Sequence, residues 1–422
     1  MLPVVLFYWE TCILLRLENR LRNLLSVLLC LILLPLLSGC VAVFDKLPHK
    51  KWGFIDKSGR LVIPYKFDDV ARDQHGGWTL PHKTFVNFSQ GLCAVRVGNK
   101  WGYIDKNGLW KVPLKYDSAG NFSDGLALVR VADRYGYIDK SGREVIPASF
   151  DIARIEGAKN DNPDWDFTQT LLTPLEFSEG LAVACRDGKF GYIDKTGKFV
   201  IEPVYMRAEP FRQGLAAVNP FPVPAAVGGR TFIDKSGKVV APASQNCIDF
   251  SEGVFLAGNG RYDSGRRLFY LSEAGARITS EEFEDARIFS EGLAAVAPKF
   301  DSANENKAYG YVDKSGKIVI KPGFDISGNN LAGNFRHGRA VVSRTVEDAL
   351  GNRSNLHGIV DTSGRFLVKP SYSHISSYCD GLARALIDNH TVYLDMNGKV
   401  AIETRSVWGN SFSEGLAAVM EP

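Results

Sequence analysis

Phe122-Ser123-Asp124-Gly125-Leu126-Ala127-Leu128-Val129-Arg130-Val131-Ala132-Asp133-Arg134-Tyr135-Gly136-Tyr137-Ile138-Asp139-Lys140-Ser141-Gly142-Arg143-Glu144-Val145-Ile146-Pro147 is the stretch whose reading decides the fold. Residues 122–125 read as a turn closed by a glycine. The segment Leu126–Val131 is apolar and valine-rich, a first strand, and residues 132–134 turn the chain. Residues 135–139 form a second strand, aromatic and β-branched. Asp139-Lys140-Ser141-Gly142 reads as a hairpin turn, with the carboxylate accepting bonds from turn amides and the glycine supplying a φ > 0 position. Residues 144–146 make a third strand, which Pro147 is expected to stop because proline has no N–H to donate to a ladder.

The same sentence recurs along the chain. Asp-Lys-small-Gly begins at Asp56, Asp105, Asp139, Asp194, Asp234 and Asp313, with looser copies at Ser272, Asp361 and Asp395. An aromatic residue precedes a glycine by three positions at Phe88, Phe122, Phe177, Phe211, Phe250, Phe289, Phe335, Tyr378 and Phe412. Each signature occurs nine times and the two alternate. Successive turn residues of the first signature lie 49, 34, 55, 40, 38, 41, 48 and 34 residues apart, so the bare unit is 34 residues long. A unit of that size cannot bury its apolar face alone, whereas stacked neighbours can. No helical period runs for three turns after Cys40. Glycine also recurs inside the second strand, at Gly53, Gly102, Gly136, Gly191, Gly310 and Gly358. A strand-interior glycine costs stability unless another group must approach closely, so a neighbouring ring or backbone is expected over the bare Cα.

At these residues the chain resembles a known family. Lys51-Trp52-Gly53-Phe54-Ile55-Asp56-Lys57-Ser58-Gly59 and Lys100-Trp101-Gly102-Tyr103-Ile104-Asp105-Lys106-Asn107-Gly108 are similar to the WG-containing (KWG) repeats of bacterial proteins. The likeness runs from about Lys50 to the end of the chain. It implies an all-β repeat scaffold with no assigned chemistry and supplies no catalytic residues. Thr231 and Val392 replace the second-strand glycine and Ser272 replaces the turn aspartate, so those units are expected to pack less regularly. The fold class expected is all-β, a tandem-repeat array of short β-hairpins. An open β-solenoid is favoured, because open arrays tolerate variable spacing. A β-propeller is the alternative, supported by a chain that starts on a second strand at Trp52 and ends on a first strand at 416–419.

The N-terminus carries an address. Arg16, Arg20 and Arg22 precede an apolar run at 24–37, the pattern of a secretory signal. The run is shorter than the roughly 20 residues a spanning helix needs. It ends in Leu37-Ser38-Gly39-Cys40, which resembles the lipobox of bacterial lipoproteins. That resemblance implies cleavage before Cys40, acylation of its thiol and anchoring to a membrane. The expected organisation is 1–39 signal peptide, 40–49 lipidated N-terminus and short linker, and 50–422 repeat domain. The chain is then lipid-anchored and extracytoplasmic in the bacterial cell envelope. Val41, rather than an aspartate, follows the cysteine, which points to the outer membrane in a diderm.

Composition excludes other classes. Lys and Arg total 50 against 47 Asp and Glu, a net charge of +3. With the export signal, that balance argues against nucleic acid as a partner. Cys93, Cys185, Cys247 and Cys379 are widely spaced, with no CxxC and no close Cys/His pair. Buried free thiols are favoured over disulfides, since Cys93 stands where sister units carry small apolar residues. None of the seven histidines falls in HExxH or HxH, and neither a Walker loop nor a Gly-x-Ser-x-Gly elbow occurs. No catalytic residue, metal ligand or cofactor is therefore expected. The function expected is a non-catalytic, membrane-tethered scaffold for protein–protein interaction, with glycan or peptidoglycan binding as the alternative. The long intervals place extra residues at 71–87, 153–176 and 345–356. Trp78 and Trp165, in the first two, are the candidate binding anchors.

Overall fold

The computed structural model describes residues 50–69, 87–150, 153–154, 171–172, 176–220, 230–240, 247–259, 267–298, 308–325, 333–347 and 353–422. Among them every regular element is a strand, and neighbouring strands pair antiparallel. The unit quoted above is a sheet of four consecutive strands, Ser118–Ser123, Leu126–Val131, Arg134–Asp139 and Glu144–Phe150. Four-stranded sheets recur from Asp285 to Asp325 and from His374 to Glu403. Two features depart from the sequence reading. A lead strand, Ser118–Ser123, precedes the aromatic-x-x-Gly turn; short and polar, it carries no apolar alternation to reveal it. The third strand also runs through Pro147 to Phe150 instead of stopping there.

The proline is tolerated because of the second-strand glycine opposite it. Tyr135 pairs with Phe150 and Tyr137 with Ile146, so three residues of the third strand bulge across Gly136. The same shift occurs across Gly53, Gly102, Gly191, Gly310 and Gly358. A Cβ on Gly136 would lie 2.6 Å from the Ile146 carbonyl oxygen, and one on Gly191 would lie 2.4 Å from that of Ile201. The close approach expected from sequence is thus made by the backbone of the third strand. The proline sits in the bulge, where the ladder asks for no N–H. Where the glycine is replaced, the third strand shortens. Beside Val392 it is Val400–Glu403, and beside Thr231 and Phe269, which hold the glycine's place, the described residues make isolated bridges, Ile233–Val239 in the first case and Leu271–Arg277 with Leu268–Phe283 in the second.

Packing between units is aromatic. The second-strand tyrosines Tyr103, Tyr192, Tyr270, Tyr311 and Tyr393 are fully buried. Each donates its hydroxyl to a backbone carbonyl of the next unit's lead segment, at Gly120, Glu209, Arg287, Gly333 and Asn410, over 2.6–2.9 Å. Each also meets the next turn's phenylalanine, as Tyr103 meets Phe122 with ring centroids 4.9 Å apart. Such pairs add about 0.5–1.5 kcal/mol beyond area burial. Trp110 and Trp408 are exceptions at 43% and 49% exposure.

The two ends of the array meet. Trp52–Asp56 pairs along its whole length with Leu416–Met420, from Trp52 opposite Met420 to Asp56 opposite Leu416. Its other edge pairs with Leu61–Phe67. Leu416 and Ala418 share one core cluster with Phe54, Phe88 and Trp101. The all-β array of small antiparallel sheets expected from sequence is present, and the open solenoid is not confirmed, since an open array would leave its terminal strands unpaired.

Candidate functional site: the inner circle of turns

The aromatic-x-x-Gly turns hold backbone in an uncommon conformation. In each, both central residues have positive φ, as Gln90 at 54° and Gly91 at 87°. Ser89 and Leu92 close the turn with reciprocal backbone bonds of 2.9 and 3.2 Å. This is a two-residue hairpin of type I′, whose first position usually goes to Asn, Asp or Gly. Here it is held by Gln90, Asp124, Glu179, Gln213, Glu252, Glu291, His337, Asp380 and Glu414, all at φ between 52° and 57°. Left-handed backbone is unfavourable for long side chains.

The side chains offset that cost by stitching each turn to the next. Gln90 accepts from the Gly125 amide (3.0 Å), Asp124 from Gly180 (2.6 Å), Glu179 from Gly214 (3.0 Å) and Gln213 from the Glu252 amide (2.6 Å). Glu252 takes both amides of the following turn, from Glu291 at 2.6 Å and Gly292 at 3.0 Å. Glu291 does likewise with His337 at 2.5 Å and Gly338 at 2.7 Å. Asp380 accepts from Gly415 (2.5 Å), and Glu414 accepts from Gly91 (3.0 Å), returning the succession to its start. A second set of stitches runs alongside: the hydroxyls of Ser89, Ser178, Ser290 and Ser413 donate to the carbonyls of Phe122, Phe211, Phe335 and Phe88.

Lysines of the Asp-Lys-x-Gly turns reach in from outside. Lys57, Lys106, Lys235 and Lys314 lie 3.1–3.3 Å from carboxylate oxygens of Asp380, Glu414, Glu179 and Glu252. Burial alone would push the Glu252 carboxyl up, but the Lys314 ammonium and the two turn amides outweigh it, and the carboxyl settles below its ordinary value. Glu179 and Glu414 follow the same balance.

The circle is interrupted once. Between His337 and the turn of Asp380 and Gly381, no described side chain accepts from either turn amide, whereas eight of the nine junctions carry that bond. The serine stitch is missing there as well, because Arg336 stands at the donor position of the earlier turn, as Arg212 does elsewhere. Tyr378 replaces the usual phenylalanine and turns its hydroxyl to the Asp395 carbonyl at 2.7 Å. At this junction a recess of about 400 Å³ opens, lined by Arg336, His337, Tyr378, Cys379, Asp380 and Glu414, among others. Arg336 and His337 are exposed and Cys379 is half-buried. Among the described residues no group of three or more His, Cys, Asp or Glu side chains is placed to hold a metal ion.

The sequence named other residues. Cys40, Trp78 and Trp165 lie outside the described residues, as does most of 71–87 and 153–176. Residues flanking these segments are informative. Antiparallel pairing puts the end of each third strand at the same sheet edge as the first-to-second connection, opposite both kinds of glycine turn. The long intervals therefore all depart from one edge. Ala153–Arg154 pairs antiparallel with Leu171–Leu172. The third interval lengthens a hairpin, Arg339–Glu347 against Arg353–Asp361, with Thr345 opposite Asn355 and Glu347 opposite Arg353. Among the described residues the four cysteines, Cys93, Cys185, Cys247 and Cys379, are free thiols, the first three of them buried. Burial pushes the Cys247 thiol up to about 11. The inner circle itself escaped notice in the sequence. Its signal was there: setting the nine turns in register exposes Arg336, His337, Tyr378 and Cys379 as a cluster of departures.

The class these features define is an all-β protein of tandem, small antiparallel sheets. Seven stretches, 52–79, 84–101, 101–135, 135–154, 190–219, 309–344 and 358–389, match the WG containing repeat. No protein of curated function matches it by sequence. Among solved structures it is similar to a eukaryotic initiation factor, at 10% identity over 78% of this chain and 87% of that one, with a TM-score of 0.48. It is also similar to Citrobacter koseri AztD, at 14% identity over 77% and 95% and a TM-score of 0.33. A third likeness is to the WD40 domain of Toxoplasma gondii coronin, at 11% identity over 65% and 76% and a TM-score of 0.30.

Proposed function

We propose that this chain is a non-catalytic binding scaffold, held by a lipid on Cys40 at the extracytoplasmic side of a bacterial envelope, whose nine units close as the blades of a β-propeller. The observation that carries the reading is the pairing of Trp52–Asp56 with Leu416–Met420, which completes one unit from both ends of the chain. Closure by strand pairing makes a stiff platform, and stiff platforms present variable segments for recognition. The platform here offers the edge from which the three long intervals depart. A protein partner would be read there, with Trp78 and Trp165 as anchors. In support of tethering stands the Leu37-Ser38-Gly39-Cys40 tetrapeptide behind its apolar run. A second reading, glycan or peptidoglycan binding, has its own support in Trp110 and Trp408, whose half-exposed rings suit stacking on sugar faces.

Two experiments test these readings. Cys40→Ser is expected to release the protein from the detergent phase, and unchanged partitioning removes the lipid anchor from the proposal. Capture from membranes by the 50–422 domain, run beside binding to purified cell wall, separates the partners. Retention on cell wall that Trp110→Ala and Trp408→Ala abolish favours the glycan. Capture that trimming 153–176 abolishes favours the protein.

A further inference from the structure

We propose that the junction between the His337 and Asp380 turns is a binding site for a carboxylate. The argument starts from the repeat. In the two preceding junctions, one carboxylate is held by both central amides of the following turn: Glu252 by Glu291 and Gly292, and Glu291 by His337 and Gly338. The Asp380–Gly381 turn has the same backbone, with φ of 57° and 84°, so its two amides are arranged as the same donor pair. The residue that would supply the acceptor is His337, an imidazole where four sister turns carry glutamate. Among the described residues nothing bonds either amide, and Asp380 lines the recess of about 400 Å³ together with Arg336 and His337. That volume is in the range of a small-ligand pocket.

The charges around the recess permit an anion. Asp380 and Glu414 are each paired with a lysine, Lys57 and Lys106. The Glu291 carboxylate is occupied by the His337 and Gly338 amides and lies near the exposed Arg336. Arg336, which displaces the stitching serine, adds a planar donor fork of the kind that suits carboxylates. Successive backbone amides in a turn can form an anion-holding concavity. The ligand class is thus a molecule bearing a free carboxylate, either a small organic acid or the C-terminal end of a peptide.

The test uses the full chain in detergent, labelled with ¹⁵N-glycine. Succinate stands for the small acid, and tri-alanine, with a free or an amidated C-terminus, for the peptide end. A free carboxylate should move the Gly381 amide resonance, and the amidated peptide should not. Which of the two free acids binds more tightly distinguishes the sources. His337→Glu places the sister-turn carboxylate on the same amides. It should raise the Tm and weaken binding about ten-fold or more, since a charged acceptor of the chain's own would then occupy both amides. Arg336→Ala should weaken binding with the Tm unchanged, and serves if His337→Glu does not fold. Unmoved Gly381, equal binding by the amidated peptide, or unaltered affinity in both variants would overturn the proposal.

Discussion

The two glycine turns of each unit look alike in sequence and are stabilised in opposite ways. In the outer turn the aspartate looks after its own backbone. Asp139 accepts from the Ser141 amide (2.9 Å) and hydroxyl (2.5 Å) and from the Arg143 amide (3.1 Å). The Ser141 hydroxyl, then Arg143 and the turn amides, hold its carboxyl down at about 2 against the small cost of desolvation. In the inner turn the carboxylate ignores its own backbone and serves the next unit. An outer turn can therefore form in a lone hairpin, whereas an inner turn has its stitch only when a neighbour is in place. The units depend on one another through the inner turns and the aromatic pairs behind them, and the pairing of Trp52–Asp56 with Leu416–Met420 gives the first and last described strands a partner.

Removing the closing strand should have the largest effect. Deleting residues 416–422 strips the partner from Trp52–Asp56 and exposes a surface that buries Leu416, Ala417, Ala418 and Val419. At about 1.5–3 kcal/mol for each large apolar side chain buried, the loss is on the order of 5 kcal/mol. Chemical denaturation of the truncated chain should show a lower midpoint, with hydrogen exchange accelerated at both ends of the array. An unchanged midpoint would mean that the circle is not cooperative and that the units stand alone.

Next in size is the direct contrast of one turn with the other. Glu252→Ala removes the acceptor for two amides of the neighbouring turn and the partner of Lys314, and should cost about 1–3 kcal/mol. Asp313→Ala, in an outer turn, removes bonds to Ser315 and Lys317 only and should cost about 1 kcal/mol. The location of the damage is the sharper readout. The first variant should speed amide exchange at Glu291 and Gly292, one unit away, and the second only within its own turn. Gly108→Val lies between them. Gly108 has φ +75°, and an added Cβ would lie 3.0 Å from Ile63 of the adjoining unit. The left-handed backbone alone costs a β-branched residue about 1–2 kcal/mol.

What was legible in the sequence follows the same division. Asp139 and Gly142 announced the outer turn because all its partners lie within five residues. Gly136 announced a close approach, but not that the approaching group was the strand carrying Pro147, since a bulge is a property of the pair. The lead strand Ser118–Ser123 was invisible because its pairing partner, not its own composition, makes it a strand. The stitches from Glu252 and Glu291 were unreadable for a similar reason: their partners lie 39 to 47 residues away in the next unit. Closure was half-legible. The incomplete units at the two ends pointed to it, and the irregular spacing pointed the other way. The junction at His337 required knowing that its sister residues reach across to the next turn.

The smallest effect concerns the lysines of the Asp-Lys-x-Gly turns. Lys106 is half-exposed, yet its ammonium lies 3.1 Å from Glu414, an inner-turn carboxylate of the adjoining unit. Exposed pairs of this kind contribute about 0.2–1 kcal/mol, so Lys106→Ala should shift stability by about 0.5 kcal/mol. The pH dependence separates this pair from mere loss of a surface side chain. Desolvation tends to raise the Glu414 carboxyl, but Lys106 and the Gly91 amide hold it below the ordinary 4.5. A carboxyl depressed in the folded state contributes stability that is present above its unfolded value and lost as pH falls through its folded one. The difference between wild type and Lys106→Ala should therefore be constant above the ordinary carboxylate range and disappear at acid pH, once Glu414 takes up its proton below its ordinary value. It should also shrink with added salt. A difference that persists unchanged at low pH would assign Lys106 a packing role and leave the inner carboxylate to the amides alone.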